Sequence, residues 1–243
     1  MSFEDEPPPA RQPFLNAPAS VLWLIAVFIA VYAAQALSPP DVAGRIAAYA
    51  LDPADYAARI VVPGLGTVTP SLAERIAPPF SHIFMNVNLF GLGFTCVWLL
   101  AFGSPVARRF GAVPFFAFFL LCGLGGAAIF VALCWGQDIR IVGASGALSG
   151  LVAASSRFMQ FGAVPGDEEP EPFAPLDAPR VFAFGAVWIV ASLALGGLGI
   201  GQLGAQQTFI WQPLVGGYLA GLILSGPFEH YFGHAARLRR AGA

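Results

Sequence analysis

Lysine is absent from the 243 residues, and charge of either sign is scarce at 11%. A water-soluble domain carries roughly 25% charged residues. The 57% hydrophobic content and a mean hydropathy of +0.70 leave too little polar surface to clothe a soluble globule. Net charge is −2, so no bulk basic field attracts nucleic acid. Cysteine is rare too: Cys96, Cys122 and Cys134 lie in apolar runs. Their spacing fits neither a zinc site nor a disulfide framework, and they read as small buried apolar side chains. No metal or other cofactor is expected. The opening MSFEDEPPPARQPF lacks the basic start and small-residue cleavage site of a signal peptide. The first apolar run therefore reads as a retained span.

What is present is a series of apolar runs, and a helical span needs about 20 such residues. Six segments qualify or nearly do: about Ser20 to Leu37, Ile83 to Gly103, Val113 to Trp135, Val142 to Arg157, Val181 to Leu198 and Thr208 to Phe228. The expected fold is all-α, a polytopic bundle of six transmembrane helices. The organisation is a tail (1–18), a membrane domain (19–229) and a second tail (230–243). No Asp, Glu, Lys, Arg or His falls inside the apolar body of any run. That absence argues against an ion-coupled transporter or proton relay.

Arginine placement orients the chain. Arg11, Arg108, Arg109, Arg157, Arg180, Arg237, Arg239 and Arg240 fall on one side, and Arg45, Arg59, Arg75 and Arg140 on the other. The excess places both termini in the cytoplasm, as for a protein of a bacterial inner membrane. The first loop, about Ser38 to Phe80, is long and rich in Pro and Gly. Ile46–Leu51 and Tyr56–Val62 within it read as short amphipathic pieces at the interface. The fourth loop carries GDEEPEPFAPLDAP, an acidic, Pro-rich linker.

One motif carries chemistry. Gly143-Ala144-Ser145-Gly146 opens the fourth apolar run. Its glycines let other chains approach the serine backbone closely. A helix N-terminus supplies unpaired N–H groups that can stabilise an oxyanion. Small-residue clusters also serve as packing surfaces, which is the alternative for this motif taken alone.

Two further segments add to it: Trp98-Leu99-Leu100-Ala101-Phe102-Gly103, running on to Phe110-Gly111, and Trp211-Gln212-Pro213-Leu214-Val215-Gly216-Gly217-Tyr218-Leu219-Ala220-Gly221. With six spans, their order and spacing resemble the rhomboid family of intramembrane serine proteases over about Ser20 to Phe228. The resemblance implies a Ser–His dyad with Ser145 as nucleophile. The family histidine in H-x-x-G-x-x-x-G falls on Leu214, with Gly217 and Gly221 as the two glycines. The family's H-x-x-x-N, whose side chains help bind the oxyanion, falls on Gly91 and Thr95. An upstream family histidine falls on Asn86, and an often aromatic position on Ser149.

Leucine cannot take a proton from a serine, and serine without a base is a poor nucleophile. His82 precedes Gly91 by nine residues, about 13 Å of helix rise, which places it near the external surface above a buried Ser145. His230 and His234 follow the last run, on the predicted cytoplasmic side. Losing one oxyanion donor costs roughly 3–4 kcal/mol; a Thr95 hydroxyl and backbone N–H groups remain. Ser145 can persist as a small packing residue.

The leading expectation is thus a pseudoprotease in the lipid bilayer. As inactive family members do, it would bind transmembrane helices of other membrane proteins, beside the second, fifth and sixth spans. Gly216, Gly217 and Gly221 would permit close client contact there, or would pack internally. The second expectation is an active intramembrane serine endopeptidase with an unconventional base. A transporter or channel is the third.

Overall fold

The computed structural model describes residues 17–39, 41–42, 46, 48–57, 60–62, 66–68, 71–158, 173–197 and 210–233. The first tail as far as residue 16, most of the acidic linker and the end of the second tail lie outside these. So do Arg11, Arg45, Arg59, His234, Arg237, Arg239 and Arg240. Helices α1 (Ala19–Leu37), α2 (Leu89–Phe110), α3 (Ala112–Leu133), α4 (Ser145–Ser156), α5 (Pro179–Gly197) and α6 (Gln212–Phe228) occupy the six apolar runs. Three of them, α1, α2 and α3, are long and apolar enough to cross a bilayer by length and composition.

The second run differs from its expected bounds. Its first residues form a 3-10 turn, His82–Phe84, and the long helix starts only at Leu89. Asn88 stops the helix from beginning earlier. Its backbone is extended, and its side-chain oxygen accepts the Gly91 N–H at 2.7 Å, an N-cap. Farther along, Leu99–Gly103 widens into a π-turn. Pro105, which has no N–H to bond back along the helix, follows two residues after Gly103. Gly111, at φ +90°, ends α2 in a conformation that side chains rarely adopt, and α3 begins one residue later.

The first loop also departs from expectation. Within Tyr56–Val62, expected as a short amphipathic piece, the described residues belong to a turn and a strand. Pro53–Tyr56 is a 3-10 turn capped by Asp52, and β1 (Ile60–Val62) pairs antiparallel with β2 (Gly66–Val68). Val61 and Val62 belong to a β-branched run that suits a strand better than a helix. Among the described residues, the helical bundle thus carries one small antiparallel strand pair.

α4 is the centre of the bundle. Every residue from Gly146 to Ser156 is buried, as a helix surrounded by others requires. It is held by close backbone approach to α3 and α6. A Cβ on Gly217 would collide with the Gly146 carbonyl, and one on Gly221 with Gly150. Buried phenylalanines, among them Phe115, Phe118 and Phe119 of α3, fill the space toward α1 and α2. The seam between α2 and α5 is aromatic: the Trp98 and Trp188 rings meet edge to face at 4.6 Å, and Phe102 packs on Phe184 and Trp188.

At the opposite end of α4 from Ser145, two arginines are held inside the protein. Arg109 makes a two-pronged ion pair with Glu229, at 2.7 and 2.8 Å. Arg157 is buried at the foot of α4. It donates to the Ala174 carbonyl at 2.9 Å and the Ser225 hydroxyl at 2.9 Å, with its guanidinium 3.9 Å from the Phe173 ring centre.

Candidate functional site

The serine lies where three segments meet. Loop residues 141–144 feed α4. Ile141 exchanges backbone hydrogen bonds with Leu51, at 2.9 and 3.0 Å. The Gly143 N–H donates to the His82 carbonyl at 2.8 Å. Gly143 has φ +122°, the left-handed region that favours glycine, and α4 begins two residues later. The first loop thus clamps the segment from one side and the 3-10 turn before α2 from the other. Arg140 and Asp52 add an ion pair at 3.2 Å across the same junction.

Ser145 is exposed, not buried as the sequence suggested. It is the first residue of the buried helix, and among the described residues none hydrogen-bonds its hydroxyl. Leu214 is 5% exposed on the first turn of α6. Its neighbour Pro213 presents a carbonyl 3.1 Å from where a Gly146 Cβ would stand. The chain therefore brings Ser145 and Leu214 to adjoining first turns of two packed helices.

Three other positions also converge. The Thr95 hydroxyl donates to Asn86 Oδ1 at 3.4 Å, with both residues buried. A Cβ on Gly91 would lie 3.8 Å from that same Oδ1 and 3.4 Å from Asn88 Oδ1, at ordinary contact distance. The Asn86 backbone N–H donates to Gln35 Oε1 of α1 at 3.4 Å. The hydroxyl of Thr95 is therefore engaged within the protein.

His82 is not a residue far up the same helix. The chain turns between it and α2, and its backbone lies against the serine loop. Its side chain is held from its own N-terminal side: Nδ1–H donates to the Pro78 carbonyl at 2.8 Å, and the residue is 3% exposed. Burial pulls its pKa down from 6.5 to about 4. An imidazole that resists protonation so strongly is a weak base. His230, exposed, follows α6 at the end remote from Ser145.

Ser149 is buried and accepts the Trp188 indole N–H at 3.0 Å, tying α4 to α5. Gly216, Gly217 and Gly221 are spent inside the bundle, against Gly125 and Ile129, Gly146, and Gly150. Of the two readings the sequence left open for these glycines, the contacts are those of internal packing. Sequence reasoning missed Gln35, the one amide in the first apolar run, and the capping role of Asn88. An Asn directly before an apolar run is a helix-start signal and was available.

The arrangement defines a membrane helical bundle built around a short, glycine-packed central helix whose first turn presents a serine beside the first turn of the last helix. A family model described as the rhomboid domain matches residues 74–230, more than half of the chain, and the chain belongs to the rhomboid family. It is an integral membrane protein with an intramembrane-protease-like scaffold. No curated protein matches the chain.

Proposed function

We propose that the protein is a rhomboid pseudoprotease: six helices crossing the bilayer with both termini cytoplasmic, and a site that binds transmembrane clients without cutting them. The observation that carries this reading is Leu214. It stands on the first turn of α6, which packs on the first turn of α4, and the rhomboid resemblance puts the family base at this position. A hydroxyl needs a proton acceptor within about 3 Å to become a nucleophile, and an aliphatic chain there offers none. Gly91 contributes no side-chain donor, and the Thr95 hydroxyl is directed to Asn86. His82, held by Pro78 and suppressed in basicity, does not replace the missing base.

The test is a paired cleavage assay with a model transmembrane substrate in proteoliposomes. The unmodified chain is expected to leave it intact and Ser145 unlabelled by a fluorophosphonate. The triple variant Leu214→His, Gly91→His, Thr95→Asn is expected to gain Ser145-dependent labelling. There is room for it: a Cβ at Gly91 meets only ordinary contacts. Cleavage by the unmodified chain, abolished in Ser145→Ala, would make the protein an active endopeptidase with an unconventional base and end the pseudoprotease reading.

A further inference from the structure

Phe173 and Ala174 lie between the foot of α4 and the start of α5, and both are bound into the bundle. The Ala174 N–H donates to the Arg157 carbonyl at 2.8 Å, and Arg157 Nε–H donates back to the Ala174 carbonyl at 2.9 Å. The Phe173 ring centre is 3.9 Å from the Arg157 guanidinium carbon and 5.5 Å from that of Arg109, and the ring stacks on Phe158. Other elements hold both arginines in place: Ser225 of α6 accepts from Arg157, and Glu229 pairs with Arg109. A ring face attracts a cation most strongly where water is excluded, and Arg157 is 7% exposed. One phenylalanine thus rests on cations carried by α2 and by the foot of α4.

α5 begins at Pro179, five residues after Ala174, and is fastened as far as its middle. Arg180 donates to the Arg157 carbonyl at 3.2 Å, the Tyr218 hydroxyl to the Val181 carbonyl at 3.0 Å, and the Trp188 indole to Ser149 at 3.0 Å. Tyr218 fits because position 185 is glycine; a Cβ there would stand 2.5 Å from its hydroxyl. Fastenings on one stiff helix are not independent, because each that is made raises the effective concentration of the next. Trp188 is about 13 Å of helix rise from Pro179. Its bond therefore reports on how α5 as a whole is held, not on the immediate surroundings of Phe173.

We propose that Phe173 is a clasp, docked on Arg157 and Arg109, through which the segment before α5 controls how firmly α5 is held against α4 and α2. In the orientation proposed above the foot of α4 faces the cytoplasm, so the hold is set from that side of the membrane. The inference rests on the client-binding reading, in which clients lie beside α2 and α5: a loosened α5 gives a client more room along that seam. It assigns control of that room to a contact remote from Ser145 and Leu214.

The experiment follows the indole N–H resonance of Trp188 in the full chain in nanodiscs, identified by its absence in Trp188→Phe. Phe173→Leu keeps apolar bulk against Phe158 but offers no ring face to the guanidiniums. In this variant the resonance is expected to move upfield or to gain an upfield partner, as the bond to Ser149 is made for less of the time. Phe173→Tyr, which restores the ring face, is expected to return it. A resonance unmoved in Phe173→Leu, or moved equally in Phe173→Tyr, overturns the clasp. Should Phe173→Leu fail to fold, Phe173→Met is judged by the same outcomes. Binding of a transmembrane peptide is expected to tighten about fivefold in Phe173→Leu, a modest coupling between distant sites. A moved resonance with unchanged binding overturns control over clients. If no chain binds the peptide, the client-binding reading fails, and the resonance alone upholds or overturns the clasp.

Discussion

A single imidazole shows how strongly position governs chemistry in this protein. His82 has an ordinary side chain in an extraordinary place: buried, bonded to the Pro78 carbonyl, and carrying on its own carbonyl the turn that leads to Ser145. Its folded pKa, about 4, lies below its value of 6.5 in an unstructured chain. The unfolded state therefore binds the proton more readily, and stability falls as pH drops from about 6.5 toward 4, then levels off. The full effect is about 3 kcal/mol. The thermal midpoint in detergent is expected to decline through that window. In His82→Gln the same window should be flatter, while the midpoint at neutral pH is lower because the bond to Pro78 is weakened. An unchanged slope in the variant would assign the acid sensitivity to another group. His82 was visible in the sequence as the histidine nearest the site. Its real position was not, because a helix rise was assumed where Asn88 interrupts the helix.

Among the elements, α4 is the most constrained. It is short, buried throughout its length beyond Ser145, and in backbone contact with α6. Gly217→Ala drives a methyl group into the Gly146 carbonyl, and backbone cannot yield as a side-chain tip can. A loss of about 3 kcal/mol or more is expected, at the upper end of overpacking penalties, read as a fall in the unfolding midpoint. Gly93→Ala in α2 is the matching control. Nothing lies within 4 Å of its Cβ, and replacing a helical glycine by alanine stabilises by up to about 1 kcal/mol. Equal effects at the two positions would contradict the packing described here. The sequence shows only that both are glycines in apolar runs. Which faces a backbone and which faces open space depends on how the helices are rotated against one another, and rotation is set by contacts far apart in the chain.

For the whole molecule, the end remote from Ser145 is where the bundle is tied together. Arg109 of α2 and Glu229, just past α6, are 15% and 12% exposed at their side chains and share two hydrogen bonds. Removing one partner takes both hydrogen bonds and the opposite charge from a nearly buried group, which costs up to about 3–5 kcal/mol. Arg109→Leu and Glu229→Leu are each expected to lower the unfolding midpoint sharply. The double variant should cost less than the two losses added, since the shared ion pair is counted in both single variants. Strict additivity in a double-mutant cycle would show that the two residues act independently.

The sequence by itself determined the class of molecule. Scarcity of charge demanded a bilayer, six apolar runs supplied helices, and the glycines around Ser145 and Gly217 pointed to the rhomboid family, whose domain matches the chain. These are local properties: composition, run length and spacing are complete within a stretch of chain. Tertiary structure alone decided that Ser145 is exposed, that the family-like glycines are consumed by packing, that an antiparallel strand pair interrupts the first loop, and that Asn86, Thr95 and Gly91 share one place. Each of those depends on which distant segment comes to lie alongside. A residue's neighbours across the bundle are set by the packing of all the helices at once, and no stretch of sequence contains that information alone.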